Sequence, residues 1–213
     1  MKSCILTVIK NEHEYLDEWI RYHLALGIDH IFIFEDVDSK SHSEIIDKYE
    51  NVSLNSIVSV LTEDEVHDII ELRKGWRKIR QITYIKRGLE YIKNSHLSYD
   101  WCFVIDNDEF VTLEDNNKTL EDALSVYNGY DAFLMQWMCF SSDGNIKKPD
   151  YSKKGIVDTY TKATPGIRFR NLLWDVKTCY NMNTFSEKTY GACHYPSMDC
   201  NWCKTDLSKD KQS

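Results

Sequence analysis

The sequence is poor in proline and glycine, and it carries fewer basic than acidic side chains. Its 213 residues include only 3 prolines and 8 glycines, which excludes a collagen-like or linker-rich chain. Asp and Glu number 34 against 26 Lys and Arg, so the formal net charge is −8. Nonspecific nucleic-acid binding needs a basic face that displaces counterions from phosphates, so this charge balance argues against a nucleic-acid partner.

Long apolar runs are also missing. No stretch approaches the roughly 20 residues that span a bilayer, and Met1–Leu6 lacks the layout of a signal peptide. The sequence therefore predicts no integral membrane segment and shows no clear basic amphipathic anchor, while leaving peripheral membrane association open. It has no internal repeat or linker, and its 42% hydrophobic content predicts one domain, residues 1–213, with a full core.

The seven cysteines favour a reducing compartment, which we interpret as the cytoplasm. Their number is odd, and several lie inside apolar, strand-like runs, so buried thiols explain them better than a disulfide framework. A rival interpretation is structural zinc, since four soft ligands fall within eleven residues near the end of the chain. These four are Cys193, His194, Cys200 and Cys203.

The first half alternates strand-like and helix-like patterns. The strand-like runs are Cys4–Ile9, His30–Glu35, Val52–Val60 and Trp101–Ile105. Between them, apolar residues recur at helical spacing, and Gly27 follows the first helix as a C-cap. This alternation predicts an α/β fold, with a mostly parallel sheet flanked by helices.

The second half is less regular. Thr119 begins a capped helix that continues to Tyr127, and Asp131–Met138 has the pattern of another strand. A polar loop follows, and Arg168–Trp174 and Thr189–His194 are weaker strand candidates.

The strongest chemical signal is Asp106-Asn107-Asp108-Glu109, directly after a predicted strand. Ligands of α/β sheets gather at the carboxyl ends of strands. Two carboxylates there can share Mg²⁺ or Mn²⁺, and such an ion would neutralise a diphosphate leaving group. The alternative is a solvated acidic turn.

Polar residues also follow the first two predicted strands. Asn11 and Glu12 come after the first, and Glu35 and Asp36 end the second, so all four are expected to line a crevice that binds a base or ribose. The alternative for Asn11 and Asp36 is N-capping of the helices that follow.

A basic run lies before the long helix of the first half. Its Arg77 or Lys78 would contact a diphosphate if the start of that helix points at the crevice. A solvated helical face is the alternative.

Several stretches resemble glycosyltransferase family 92 and its bacterial family 2-like relatives. They include Lys10-Asn11-Glu12, Tyr15–Trp19, the run from Trp101 through Asp106-Asn-Asp108-Glu109-Phe110, Trp137–Gly144, Lys177 and His194-Tyr195. The resemblance extends from about Cys4 to Tyr195. Its loop Ser141-Ser142-Asp143-Gly144 departs from the family's usual Gly-Ser-Ser-Gly, and the chain stops where relatives continue into another helix.

The resemblance implies a GT-A fold, with a nucleotide-sugar-binding half (residues 1–110) and a smaller, mixed acceptor-side half (residues 111–213). It implies metal-dependent, inverting transfer of a hexose from a nucleotide-sugar, with a UDP-sugar as the expected donor, to a glycan or glycolipid hydroxyl. Mn²⁺ or Mg²⁺ is the implied cofactor. The implied metal ligands are Asp106, Asp108 and His194. The implied donor-binding residues are Asn11, Glu12, Asp36, Gln81, Asn107 and Lys177. Arg77, from the basic run described above, is a further candidate for binding the donor.

An inverting transfer needs a general base on the side opposite the diphosphate. Asp143 and Asp158 are the two candidates, and each could instead be a solvated loop acid. Two alternative functions stay open at this point: a zinc-stabilised binding module, and an inactive relative that binds sugar without turnover.

Overall fold

The structure is a computed structural model that describes residues 1–71, 77–113, 118–151, 153–163, 176–191 and 194–205, except the side chains at 70, 71 and 77–79. Seven strands form one sheet: β1 (Ser3–Ile9), β2 (His30–Glu35), β3 (Val52–Ser56), β4 (Trp101–Val104), β5 (Ala132–Gln136), β6 (Val176–Asn181) and β7 (Trp202–Lys204). The helices are α1 (Leu16–Leu26), α2 (Ser43–Ile46), α3 (Glu63–Glu71), α4 (Arg77–Asn94), α5 (Leu120–Ser125) and α6 (Ile156–Thr159). A 3₁₀ turn, Ile57–Val60, follows β3.

The strand order is β3-β2-β1-β4-β6-β5-β7, and only β6 runs against the others. Leu6 of β1 lies opposite Phe32 of β2 on one side and Val104 of β4 on the other. Because β1, β2, β4 and β5 point the same way, the loops that follow them all emerge at one edge of the sheet. The prediction of a mostly parallel α/β fold is confirmed.

The sheet separates two apolar layers. On one face, α4 packs its Tyr84, Ile85 and Leu89 against Leu6 and its neighbours. On the other, α1 packs Trp19 and Ile20 against alternate residues of the same strands. This alternation follows from the period of two in a strand, which sends successive side chains to opposite faces.

Glycine permits the close approach of α4 to the sheet. A Cβ atom on Gly88 would lie only 2.8 Å from Leu6 Cδ1, so a larger residue there would require the Leu6 side chain or the helix to shift. Gly27 has a φ of 108° and ends α1 in the left-handed conformation, as its position predicts. The predicted cap of α5 is also present, since Thr119 and Asp122 form a reciprocal capping box.

Three strand predictions differ from the structure or lie outside it. The third strand ends at Ser56 and continues as a 3₁₀ turn instead of reaching Val60. The described residues of Thr189–His194, which exclude 192 and 193, are not in a strand, and Thr189 closes a turn by donating its N–H to Ser186 O. Arg168–Trp174 lies outside the described residues. Within the described part of the chain, no helix is both long and apolar enough to cross a membrane.

Candidate active site at the carboxyl edge of the sheet

The residues Asp106 to Glu109 form a tight turn directly after β4. The backbone N–H of Asp106 donates to Glu109 Oε2 at 2.9 Å, and the N–H of Glu109 donates to Asp106 O at 3.1 Å. The indole of Trp19, on α1, donates to Glu109 O at 2.7 Å. The turn is therefore held by its own backbone and by a buried helix, which fixes the direction of its carboxylates.

Two further side chains of α1 hold the chain just after this turn. His23 Nε2 accepts the N–H of Val111 at 3.2 Å, and Tyr22 donates its hydroxyl to Val111 O at 2.8 Å. His23 Nδ1 lies 2.9 Å from Trp19 O and donates to it, so the ring is neutral. Burial lowers the pKa of His23 to about 4, against the opposing effect of the hydrogen bond to Trp19 O. The acidic turn thus depends on an uncharged imidazole beneath it.

A buried ammonium group faces the acidic turn from β6. Lys177 is 2% exposed, and its Nζ lies 2.6 Å from Asp106 Oδ2 and 3.3 Å from Glu109 Oε2. The Nζ also lies 5.4 Å from the centre of the Trp137 ring, within the range of a cation–π contact. Burial raises the pKa of Glu109 to about 7; Lys177 opposes this shift, and the charge of Asp106 adds to it.

Asp108 lies within electrostatic range of Glu12, in the loop after β1. Burial, and next the charge of Asp106, raises the pKa of Asp108, with a further contribution from Glu12. Glu12 accepts the hydroxyl of Tyr15 at 2.5 Å. Asn107, which separates the two aspartates in the sequence, is buried. Its side-chain nitrogen has no hydrogen-bond partner in the part of the chain that the structure describes.

The end of β2 carries a third polar group around Asp36. Its Oδ2 lies 3.3 Å from Lys10 Nζ and 3.5 Å from a terminal nitrogen of Arg80, while Oδ1 accepts the N–H of Val37. The Nε of Arg80 is buried and without a hydrogen-bond partner among the described residues. Burial, followed by the charge of Asp36, raises the pKa of Tyr84 on the same helix.

Asn11 and Asp36 do not cap helices, which removes the alternative interpretation of both. Tyr15 is the N-cap of α1 and His42 that of α2. Asn11 instead joins two loops, because its side-chain oxygen accepts the N–H of Lys40 at 2.9 Å. Its φ of 58° places it in the left-handed region that asparagine tolerates.

His42 was not predicted to take part in the site. Its Nδ1 donates to Glu35 Oε1 at 2.7 Å, and its Nε2 accepts the N–H of Glu12 at 3.0 Å. It therefore fixes the loop after β1 to the end of β2. The sequence analysis also did not predict that Arg80 and Trp137 take part in the site. Arg80 lies three residues after the predicted Arg77, and helical spacing alone could not show which of the two arginines reaches the crevice.

The remaining predicted binding residues are only partly brought together. Gln81 lies on α4 next to Arg80, half-buried, and the Arg77 side chain lies outside the described part. His194 Nδ1 lies 2.8 Å from Val176 O, and its ring stands edge-on to Trp137 at 5.5 Å. Within the described residues, no three His, Cys, Asp or Glu side chains form one metal-binding cluster, so His194 does not join the two aspartates.

The two acids predicted to act as base lie in the loop region after β5. Asp143 is bound to its own loop: Oδ2 accepts the N–H of Thr161 at 2.8 Å and its hydroxyl at 3.0 Å, and Oδ1 accepts the hydroxyl of Ser141. These bonds, led by the Thr161 backbone, lower the pKa of Asp143. Asp158 is exposed on α6, with no hydrogen-bond or ion-pair partner for its carboxylate among the described residues.

The structure separates the cysteines of the proposed zinc site. Cys200 packs in the layer beneath α4, whereas Cys203, on β7, packs in the layer beneath α1. The sheet therefore lies between the two thiols, and they cannot share one ion. Cys193 lies outside the described residues. Cys200 is a free thiol, as are Cys4, Cys102, Cys139 and Cys179.

The fold is a mostly parallel α/β sheet with acidic and amide side chains at the carboxyl ends of its strands. Proteins of this class bind their ligands at that edge of the sheet. The chain belongs to glycosyltransferase family 92, whose family model matches residues 1–166. It is 25% identical over 161 residues to a glycosyltransferase family 92 protein of Oryza sativa subsp. japonica, covering 74% of this chain and 24% of that protein. A family 92 protein of Ricinus communis is 35% identical over 57 residues, covering 24% of this chain and 10% of that protein.

The chain thus spans about a quarter of the rice relative and a tenth of the Ricinus relative. Among solved structures, it is similar to HddC from Yersinia pseudotuberculosis, with a TM-score of 0.40, 9% identity and coverage of 67% of this chain and 61% of that one. It is also similar to CMP:2-keto-3-deoxy-manno-octonic acid synthetase complexed with CTP, with a TM-score of 0.37, 9% identity and coverage of 86% and 75%.

Proposed function

We propose that this chain transfers a hexose from a nucleotide-sugar, with a UDP-sugar as the expected donor, to a hydroxyl group of a glycan or glycolipid. The observation that carries the proposal is the acidic turn Asp106–Glu109, which faces a buried lysine at the carboxyl edge and lies inside the segment matched by the family. Ligands of parallel α/β sheets bind at this edge.

The polar groups at the ends of β1 and β2 would hold the nucleoside. Asp36 offers a carboxylate, and Arg80 offers a buried Nε without a partner in the described part of the chain. Groups of this kind recognise a base edge or ribose hydroxyls by hydrogen bonds. His42 and Asn11 support the pocket by fixing the two loops that carry it.

The donor set at the acidic turn fits a divalent cation. Mg²⁺ and Mn²⁺ bind one or two protein carboxylates and complete their shell with phosphate oxygens and water, so Asp106 and Asp108 suffice. Burial and mutual repulsion raise the pKa of Asp108, and a cation would relieve both effects. When bound, the ion supplies positive charge to the diphosphate. His194 is not needed for such a site.

Lys177 would position the turn. Its ammonium contacts Asp106 and Glu109 on the buried side, so Asp106 presents its 44% exposed carboxylate to the crevice from a fixed location. Preorganised charges of this kind stabilise a developing negative charge without reorganisation.

The transfer proposed is a single displacement with inversion. The acceptor oxygen forms a bond to the anomeric carbon as the bond to the diphosphate oxygen breaks, and the electron pair leaves with the diphosphate. A carboxylate takes the proton of the acceptor hydroxyl. Asp158 is the candidate we retain for this base, because both oxygens of Asp143 are bound to its own loop.

The test is calorimetric titration with UDP in Mn²⁺ and in EDTA, together with UDP release from UDP-hexoses. Asp108→Asn should abolish metal-dependent binding and turnover while leaving the fold intact. Asp68→Asn, an equal charge change at an exposed site on α3, is the matched control. Metal-dependent binding without any turnover would support a sugar-binding relative instead. No UDP binding in either condition would refute the uridine donor.

A further inference from the structure

The segment from Met138 to Ala163 exposes large apolar side chains. Ile146 is 99% exposed and Met138 70%, and about half of the Phe140 surface is also open to solvent. Val157 is exposed as well. Isolated apolar residues are common on protein surfaces, but four in one 26-residue stretch of connecting chain need an explanation.

The same segment carries positive charge on an acidic protein. It contains five lysines against three aspartates, in a chain whose net charge is −8. The lysines are Lys147, Lys148, Lys153, Lys154 and Lys162, all exposed. Two of them form ion pairs: Lys148 with Glu14 and Lys153 with Asp150. Among the described residues, the other three have no ion-pair partner, so their charge is available to a ligand.

The tip that presents Ile146 is a defined turn. Asp143 and Gly144 both have positive φ, 51° and 83°, and the N–H of Asn145 donates to Ser142 O at 2.8 Å. Positive φ at both central positions is the type I′ geometry favoured by Asp-Gly. The carboxylate of Asp143 then joins this turn to Thr161. Ile146 is thus exposed on a braced loop.

The segment lies beside the candidate active site. It follows β5, whose carboxyl end is at the same sheet edge as the acidic turn. Glu18 of α1 accepts the N–H of Ile156 at 2.6 Å, and Tyr15 contacts the ring of Tyr151 edge-on at 5.7 Å. A surface bound by this segment would therefore border the crevice.

We propose that residues 138–151 and 153–163 bind an anionic lipid bilayer, with Ile146 inserted among the acyl chains and the lysines over the lipid head groups. Apolar side chains next to lysines are the combination that binds such a surface, because burial of apolar area and attraction to anionic lipid add. A soluble polyanion would use the lysines alone. The inference goes beyond the proposed function and requires neither nucleotide nor turnover.

The test is co-sedimentation of the whole chain with vesicles of phosphatidylcholine alone and of phosphatidylcholine mixed with phosphatidylglycerol. We expect binding to the mixed vesicles only. Ile146→Ser should weaken this binding about tenfold, and the triple change of Lys147, Lys154 and Lys162 to Gln should weaken it about a hundredfold. The matched control changes the exposed Lys40, Lys118 and Lys188 to Gln and should bind as the unaltered chain does.

Three results would overturn the inference. The first is no binding to mixed vesicles. The second is equal loss of binding in the two triple variants, which would indicate diffuse attraction. The third is tight binding to dextran sulfate with no effect of Ile146→Ser on vesicle binding, which would indicate a polyanion site. Circular dichroism checks that each variant folds. Vesicle binding by a chain that neither binds nor turns over nucleotide would leave this inference standing and refute the proposed function.

Discussion

Acidification should destabilise this protein through His23, and the size of the effect can be worked out. The ring is fully buried and neutral, donating to Trp19 O and accepting from Val111 N–H. Its pKa is lowered from 6.5 to about 4 by burial. A histidine with a lowered folded pKa gives its full stability above the unfolded value, and this stability is lost as pH falls from 6.5 toward 4.

The linkage relation gives the expected loss for this one group. Relative to neutral pH, the free energy of unfolding should fall by about 1.2 kcal/mol at pH 5.5 and by about 2.4 kcal/mol at pH 4.5. Protonation also removes the acceptor for Val111 N–H, so the chain after the acidic turn should loosen in the same pH range.

Urea unfolding at a series of pH values measures this loss. The difference in unfolding free energy between the unaltered chain and His23→Gln should shrink as pH falls, because the variant has no group to titrate at this position. His67→Gln, at an exposed site on α3, is the control and should show no such trend. A His23→Gln difference that stays constant from pH 7.5 to about 4.5 would refute the reasoning.

Three other changes test the packing around the site. Lys177→Met should lower the free energy of unfolding by about 3 kcal/mol, because it leaves two carboxylates without their buried cation. Thermal unfolding measures this loss, and an unchanged unfolding midpoint would contradict the ion-pair geometry. Gly88→Ala should cost about 1–3 kcal/mol in urea unfolding by forcing a Cβ against Leu6, and an unchanged free energy of unfolding would contradict this close contact. Asp143→Asn should speed amide exchange at Thr161 while sugar transfer continues; loss of transfer with unchanged exchange would instead favour Asp143 as the base.

Local periodicity was enough to predict the centre of the fold. The strands β1, β2 and β4 are short apolar runs because both of their faces are buried, one in each apolar layer. The helices α1 and α4 repeat apolar residues at helical spacing because each buries only the face that packs on the sheet. Parallel direction then requires that the ends of these strands share an edge. The sequence alone therefore predicted that Asn11, Asp36 and Asp106 follow strands that end at the same edge of the sheet.

Strand β6 shows why the rest was not predictable. Its Lys177 and Thr178 are polar yet buried, so the segment lacks the pattern of a core strand. The reason for burying Lys177 lies 71 residues away, at Asp106. A partner so distant in sequence leaves no local trace, and only the pairing of β6 against β4 reveals it.

The chemical roles of individual residues were also decided by tertiary contacts. The sequence suggested that Cys200 and Cys203 could share a metal, but the sheet lies between their thiols. It offered Asp143 as a base, but Thr161 binds its carboxylate. The sequence determined which residues follow β1, β2 and β4, because the apolar pattern that marks a strand and its end is a local property. The tertiary structure determined their charges and partners, because burial and ion pairing depend on residues far apart in the chain.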